Sequence, residues 1–182
     1  VSDVTLNKII QQERKKIKMP YWNNTKKLIC IYGIASAMLY LHSHNIVHCC
    51  LQPSNIYFDE ILFPKIGDYG LSTKFFDVDT MTHQTISGNK GTPIYSAPEV
   101  LKSNIYSKAS DVYAFSMVVY EIITNEIPFN EINNNQIIKD IIKKNKRPFI
   151  KESIPICYRK LIERCWAQEP DERPSFDVIV DL

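Results

Sequence analysis

Eight residues, His48-Cys49-Cys50-Leu51-Gln52-Pro53-Ser54-Asn55, gather the densest chemistry in this 182-residue chain. A histidine exchanges protons near neutral pH, and a thiolate is a strong nucleophile. A cysteine nucleophile needs a neighbouring base or cation, and His48 is its neighbour in sequence. A disulfide between Cys49 and Cys50 would be strained. Adjacent Cα atoms lie about 3.8 Å apart, against the roughly 4.4–6.8 Å that a disulfide spans. The five cysteines are an odd number and show no CxxC spacing. They read as reduced thiols of a cytoplasmic protein, with Cys49 and Cys50 packing as small apolar residues and redox sensing as the lesser reading.

Two short strands over 55–58 and 63–66, with a turn at Asp59-Glu60, follow this stretch. They can bring Asn55 face to face with Asp68 at the far end. Helices are predicted on both sides. Residues 3–16 form an amphipathic helix with Val4, Leu6, Ile9 and Ile10 on its apolar face and Ser2 or Asp3 as cap. Met19-Pro20 ends it. Asn24 or Thr25 opens a buried helix reaching His42, and Ser110 or Asp111 opens another reaching Asn125. Gln136–Lys144, Cys157–Trp166 and Ser175–Leu182 complete the helices. Asn133-Asn134-Asn135 reads as a loop or helix start. Residues 70–96 hold Gly, Ser and Thr without periodicity and read as a long functional loop. The fold class is therefore mostly α with a small β-hairpin.

Hydrophobic residues make up 45% and charged residues 23%, a balance that excludes a disordered chain. The length suits one domain burying roughly 70% of its unfolded surface. A net charge of +2 is too small to call for nucleic acid or an acidic membrane. The longest apolar run, Leu28–Leu41, falls short of the ~20 residues that span a bilayer. Val1-Ser2-Asp3 opens without a basic-then-apolar leader, so no secretory signal is expected.

Five pieces in order resemble the C-terminal lobe of the eukaryotic protein kinase family. HCCLQPSN (48–55) resembles its catalytic loop, H-R-D-L-K-x-x-N. IGDYG (66–70) resembles the D-F-G region, GTPIYSAPE (91–99) the substrate loop and A-P-E motif, and DVYAF (111–115) the start of the central helix. The ending CW…EPDERPSF (165–176) is similar to the tyrosine-kinase-like group. The resemblance implies a single kinase-like domain over 1–182: catalytic loop 48–55, activation segment 68–99, helical subdomain 100–182. It implies ATP and Mg²⁺ as cofactors, with Asn55 and Asp68 as the oxygen ligands that a hard cation takes. Tyr57 falls at the floor of the adenine site, where the family usually has an aliphatic residue; a tyrosine there either stacks on the ring or fills part of the pocket. Thr92 matches the threonine of Ser/Thr-type substrate loops. Glu99 and Arg173 match a buried bidentate pair that ties the activation segment down. Asp111 matches the residue that accepts from the catalytic-loop backbone. His48 and Tyr69 match lower members of a stacked hydrophobic spine.

Several positions depart from the pattern. Cys50 stands where the family has its catalytic aspartate, and a thiol of pKa ~8.5 is a poor proton acceptor at pH 7. Losing a positioned general base costs roughly 10²–10⁴ in rate. Gln52 replaces the lysine that steadies the transferred phosphate. Cys49 replaces the arginine that reads a phosphorylated activation loop, so phosphorylation of Thr80, Thr82, Thr85 or Ser87 should lack its switch partner. No glycine-rich loop or phosphate-gripping lysine strand precedes the match. The expectation is a lobe with a missing N-terminal half, weak Mg-ATP binding and an exposed, partly apolar upper face.

Three functional readings follow. The first is a pseudokinase-like binding or regulatory module, with a substrate protein or another kinase-like chain as partner. The second is a fragment of an active Ser/Thr protein kinase. The third is the remnant of a decayed gene, against which stand the retained Asp111, Glu99, Arg173 and Trp166.

Overall fold

The computed structural model describes residues 4–19, 21–68, 73–74, 84–85, 92–130 and 134–182, with only the backbone at 73–74, 84–85, 134–135 and 137–139. Helix α1, Leu6–Arg14, buries Leu6, Ile9 and Ile10 on one side. Its cap is Thr5, whose hydroxyl accepts from the Lys8 amide at 3.3 Å; the expected caps Ser2 and Asp3 lie outside the described residues. Helix α2, Asn24–Ser43, is capped one residue earlier than the sequence reading, by Asn23 accepting from the Lys26 amide at 2.9 Å. An extended Asn23 leaves its side chain free to turn back onto the first helical amides, as Asn24 and Thr25 inside the helix cannot.

The long helix α4, Lys108–Thr124, is the centre of the core, with Val112, Tyr113, Phe115, Met117, Val118, Val119 and Ile122 almost wholly buried. Its cap is Ser107 rather than Ser110 or Asp111. Ser107 accepts from the Ser110 amide at 3.2 Å, and the Ser110 hydroxyl accepts from the Ser107 amide at 3.0 Å. This reciprocal box uses Ser110 in the role usually taken by Glu or Gln. It leaves the Asp111 carboxylate for another task.

Helices α2 and α6 (Ile156–Cys165) pack on α4, α7 (Phe176–Val180) packs along α2 and reaches α4 through Phe176, and α3 (Pro98–Ser103) packs against residues 134–144. Phe115 meets Phe176 edge to face at 5.3 Å, an arrangement that adds to plain area burial. Helix α5, Asn134–Lys144, starts two residues before the sequence reading.

Strands β2, Ile56–Phe58, and β3, Pro64–Ile66, form the expected hairpin, with Ile56 opposite Ile66. The Asp59 carboxylate closes its turn by accepting from the Ile61 and Phe63 amides at 3.2 and 2.8 Å. Asn55, expected to open the first strand, instead ends a 3₁₀ turn over Pro53–Asn55. Helix α2 crosses the hairpin where Gly33 meets Pro64; a Cβ there would lie 2.6 Å from the proline ring. The hairpin is not alone. Strand β1, Ile46–Val47, pairs with β4, Thr73–Lys74, and β5, Gln84–Thr85, pairs with β6, Ile105–Tyr106. Two-residue ladders carry no alternating pattern for a sequence to reveal. Among the described residues no helix is long and apolar enough to cross a membrane.

Candidate functional site

The segment 48–55 hangs from one carboxylate. Asp111 Oδ2 accepts from the His48 amide at 2.8 Å and from His42 Nε2 at 3.0 Å, and Oδ1 accepts from the Cys49 amide at 2.9 Å. Asp111 is almost fully buried, so three donors answer its desolvation. They also hold Cys49 in the left-handed region, at φ 67°. A non-glycine residue there costs roughly 1–2 kcal/mol. His48 is buried and joins the loop to the hairpin: its Nδ1 accepts from the Cys50 amide at 3.2 Å, which leaves Nε2 to donate to the Gly67 carbonyl at 3.0 Å. Both ring nitrogens bond to backbone, which takes His48 out of the role of a base for the cysteine thiols.

Cys50, Gln52, Asn55 and Thr92 meet in one cluster. Asn55 Nδ2 donates to the Cys50 carbonyl at 2.8 Å and lies 3.5 Å from its sulfur. Gln52 Nε2 also points at Cys50 Sγ, at 3.5 Å. Gln52 Oε1 accepts from the Thr92 hydroxyl at 3.1 Å. The glutamine therefore links the loop to the start of segment 92–97 with neutral groups. Burial first, and then the Asp68 carboxylate, push the Cys50 thiol above its ordinary pKa. The two amides oppose this without overcoming it. At neutral pH the group is a protonated thiol, neither thiolate nor base. None of the five cysteines is joined in a disulfide.

Asp68 is exposed at the end of the hairpin, with a left-handed backbone at φ 61°. It follows Gly67, whose amide donates to the Asn55 carbonyl at 2.8 Å, so the hairpin brings the backbones of Asn55 and Asp68 together. Asn55 Nδ2 is committed to Cys50, which turns Oδ1 the other way, toward the Ser54 hydroxyl at 3.4 Å. Tyr57 lies over Gly67; a Cβ at Gly67 would come 2.7 Å from the tyrosine ring. Only glycine permits that approach. The ring is partly exposed beside Asp68. Tyr69 lies outside the described residues.

Arg173 anchors the end of the segment. Nη1 and Nη2 donate to the two Glu99 oxygens at 2.7 and 2.9 Å. The Ala109, Ala167 and Gln168 carbonyls take its other three N–H groups at 3.0, 2.9 and 3.1 Å. All five donors of a guanidinium with no exposed side-chain surface are satisfied.

Sequence alone singles out neither His42 nor a second polar knot. Glu121, buried in α4, accepts from Arg14 Nη2 at 2.6 Å and from the Tyr95 hydroxyl, and Arg14 Nε donates to the Asn125 carbonyl at 2.8 Å. Burial raises the Glu121 pKa, and Arg14 and Tyr95 pull it back. The available signal was a polar residue inside an otherwise apolar helix, which must find a partner. Between the loop and α4 lies a cavity of about 20 Å³ lined by Cys49, Gln52, Val100 and Tyr106. It has room for a water molecule and no larger ligand.

This geometry meets two comparisons with known proteins. The chain matches the protein tyrosine and serine/threonine kinase family over residues 1–182. It is 37% identical over 150 residues to the dual specificity protein kinase pyk3 of Dictyostelium discoideum, covering 82% of this chain and 11% of that protein. It is 35% identical over 141 residues to the dual specificity protein kinase shkB of the same organism, covering 76% of this chain and 21% of that protein. The chain thus spans about a tenth to a fifth of the relatives it matches. A mostly helical lobe, a small hairpin and a full-length family match together make this chain a member of the protein tyrosine and serine/threonine kinase family.

Proposed function

We propose that this lobe works by binding, as a pseudokinase-like module of phosphorylation signalling, with phosphotransfer impaired at its centre. The observation that carries the reading is the Cys50 sulfur, half-buried, faced by the Asn55 and Gln52 amide groups and protonated at neutral pH. A substrate hydroxyl placed there meets a weak acceptor already approached by donors, where the reaction needs an ionised carboxylate. Gln52 adds no positive charge to offset a transferring phosphate.

The family uses ATP and Mg²⁺, and the chemistry of Asn55 and Asp68 suits the metal: both carry hard oxygen donors, and the hairpin brings their backbones close, the Gly67 amide donating to the Asn55 carbonyl at 2.8 Å. They would hold the ion, which when bound neutralises phosphate charge. Tyr57 offers an aromatic surface for the adenine. Binding through these groups alone is weak, since no lysine among them grips the phosphates. The partner is a protein, either a substrate-like chain or another kinase-like lobe, and the setting is cytoplasmic.

The competing reading, an active Ser/Thr kinase of which this is one lobe, is favoured by Asn55, Asp68, Thr92 and the Glu99–Arg173 anchor. One experiment tests the binding reading. The chain is assayed for thermal stabilisation by Mg-ATP and for phosphotransfer to a generic protein substrate, as wild type, Asp68→Ala and Cys50→Asp/Gln52→Lys. The binding reading expects no transfer by the wild type, whether or not a shift is seen; a shift lost in Asp68→Ala marks a working nucleotide site. Transfer by the wild type that Asp68→Ala abolishes sinks it.

A further inference from the structure

Large apolar side chains are left to solvent at one corner of the lobe, where the α1–α2 linker meets the β2–β3 turn. Tyr21 is 81% exposed, Ile61 70%, Ile17 52% and Phe63 49%. Two open hollows of about 440 and 520 Å³ adjoin there and share Tyr21 and Asn23. Met19 and Trp22 line the first, and Ile29 and Leu62 the second. Continuous apolar ground of this kind marks an interaction site more often than scattered exposed residues do.

The walls are fixed in advance. Trp22 stands edge-on to Phe58 at 6.0 Å, and its Nε1 donates to Glu13 at 3.0 Å. Lys26 Nζ donates to the Ile61 carbonyl at 2.8 Å and sits 5.5 Å above the Phe63 ring. Between these anchors Tyr21 takes a left-handed backbone, φ 69°, and turns its ring outward.

The rim is basic. With Arg14 turned inward to Glu121, Lys15-Lys16-Ile17-Lys18 still places three cations in four residues of a chain whose net charge is only +2. Lys16 and Lys18 line the first hollow, and neither has a carboxylate partner among the described residues. Glu13 on the opposite wall is already neutralised by Lys27 at 2.7 Å. Glu60 is the other carboxylate of the groove.

We propose that this groove docks a short segment of a partner protein in which bulky apolar residues alternate with aspartate or glutamate. The apolar residues fill the hollows on either side of Tyr21, and the carboxylates meet Lys16 and Lys18. Recognition of this kind concentrates in a few anchors and weakens with salt. The site lies apart from the Cys50 cluster and stands whether or not the lobe transfers phosphate.

The probe is a fluorescein-labelled peptide of alternating leucine and glutamate, titrated into the 182-residue chain. Comparators replace glutamate by lysine or leucine by serine. The expected result is saturable, salt-sensitive binding of the first peptide alone. Binding falls about tenfold or more in Lys16→Glu/Lys18→Glu and in Tyr21→Ser, and holds in Lys102→Glu/Lys160→Glu, exposed lysines of α3 and α6 that line neither hollow. Tyr21 is so exposed that its variant keeps the fold, as an unchanged unfolding transition checks. Equal affinity for the lysine peptide, wild-type affinity in the groove variants, or no binding at the solubility limit would each overturn the proposal.

Discussion

At the scale of single residues, the thiols divide by their surroundings. Cys157 is exposed, Cys50 is half-buried with a raised pKa, and burial pushes Cys30 and Cys165 up to about 12. Thiolate fraction and access set reactivity. Alkylation at pH 7 is therefore expected to label Cys157 first and Cys50 far more slowly. Cys30 and Cys165 should react only once the chain unfolds, and peptide mass spectrometry reads the order directly. Fast labelling of Cys50 would contradict the protonated thiol on which the binding reading stands. Residue types in the loop were legible in the sequence, and the partners of Gln52 and His48 were not. That Gln52 would reach Thr92, and that His48 would spend both nitrogens on backbone, depends on long-range closure that no local pattern encodes.

At the scale of elements, the apolar helices and the hairpin could be read from periodicity, and their ends drifted by one to four residues. The drift has a consistent cause. Sequence offers several cap-forming residues in a row, and only the backbone decides which one lies extended before the first turn. At α4 that residue is Ser107, and Ser107→Ala is expected to cost about 1 kcal/mol in chemical denaturation. The link from α1 to α4 is worth more. Arg14→Ala would leave the Glu121 carboxylate buried beside Tyr95 without its cation, so a loss on the order of 3 kcal/mol is expected. Adding Glu121→Gln should recover part of it, since the orphaned charge goes too. A double-mutant cycle showing simple additivity would mean that the two residues act independently.

At the scale of the whole molecule, buried neutral acids set the alkaline limit of stability. Below pH 9 the Cys30 and Cys165 thiols are protonated in both folded and unfolded chains. Between 9 and about 12 the unfolded chain releases those protons while the folded chain keeps them. The unfolded state then binds fewer protons, so stability falls as pH rises and levels off above about 12. Tyr113, pushed up to about 12 by its burial, works in the same direction above pH 10. The Tm should decline steadily above pH 9, and Cys30→Ala/Cys165→Ala should flatten the decline. A Tm independent of pH in that range would show that the thiols are not sealed in the core.

The carboxylate of Asp111 has a wider consequence. Its three hydrogen bonds run to the backbone amides of His48 and Cys49 and to a histidine of α2. A hold on backbone amides does not depend on which side chains the loop displays at 49, 50 and 52. Chemistry and architecture are separable in such a design. Residues 49, 50 and 52 can vary while the chain keeps its course. A lobe built this way can change the chemistry it displays and remain a well-formed surface for other proteins.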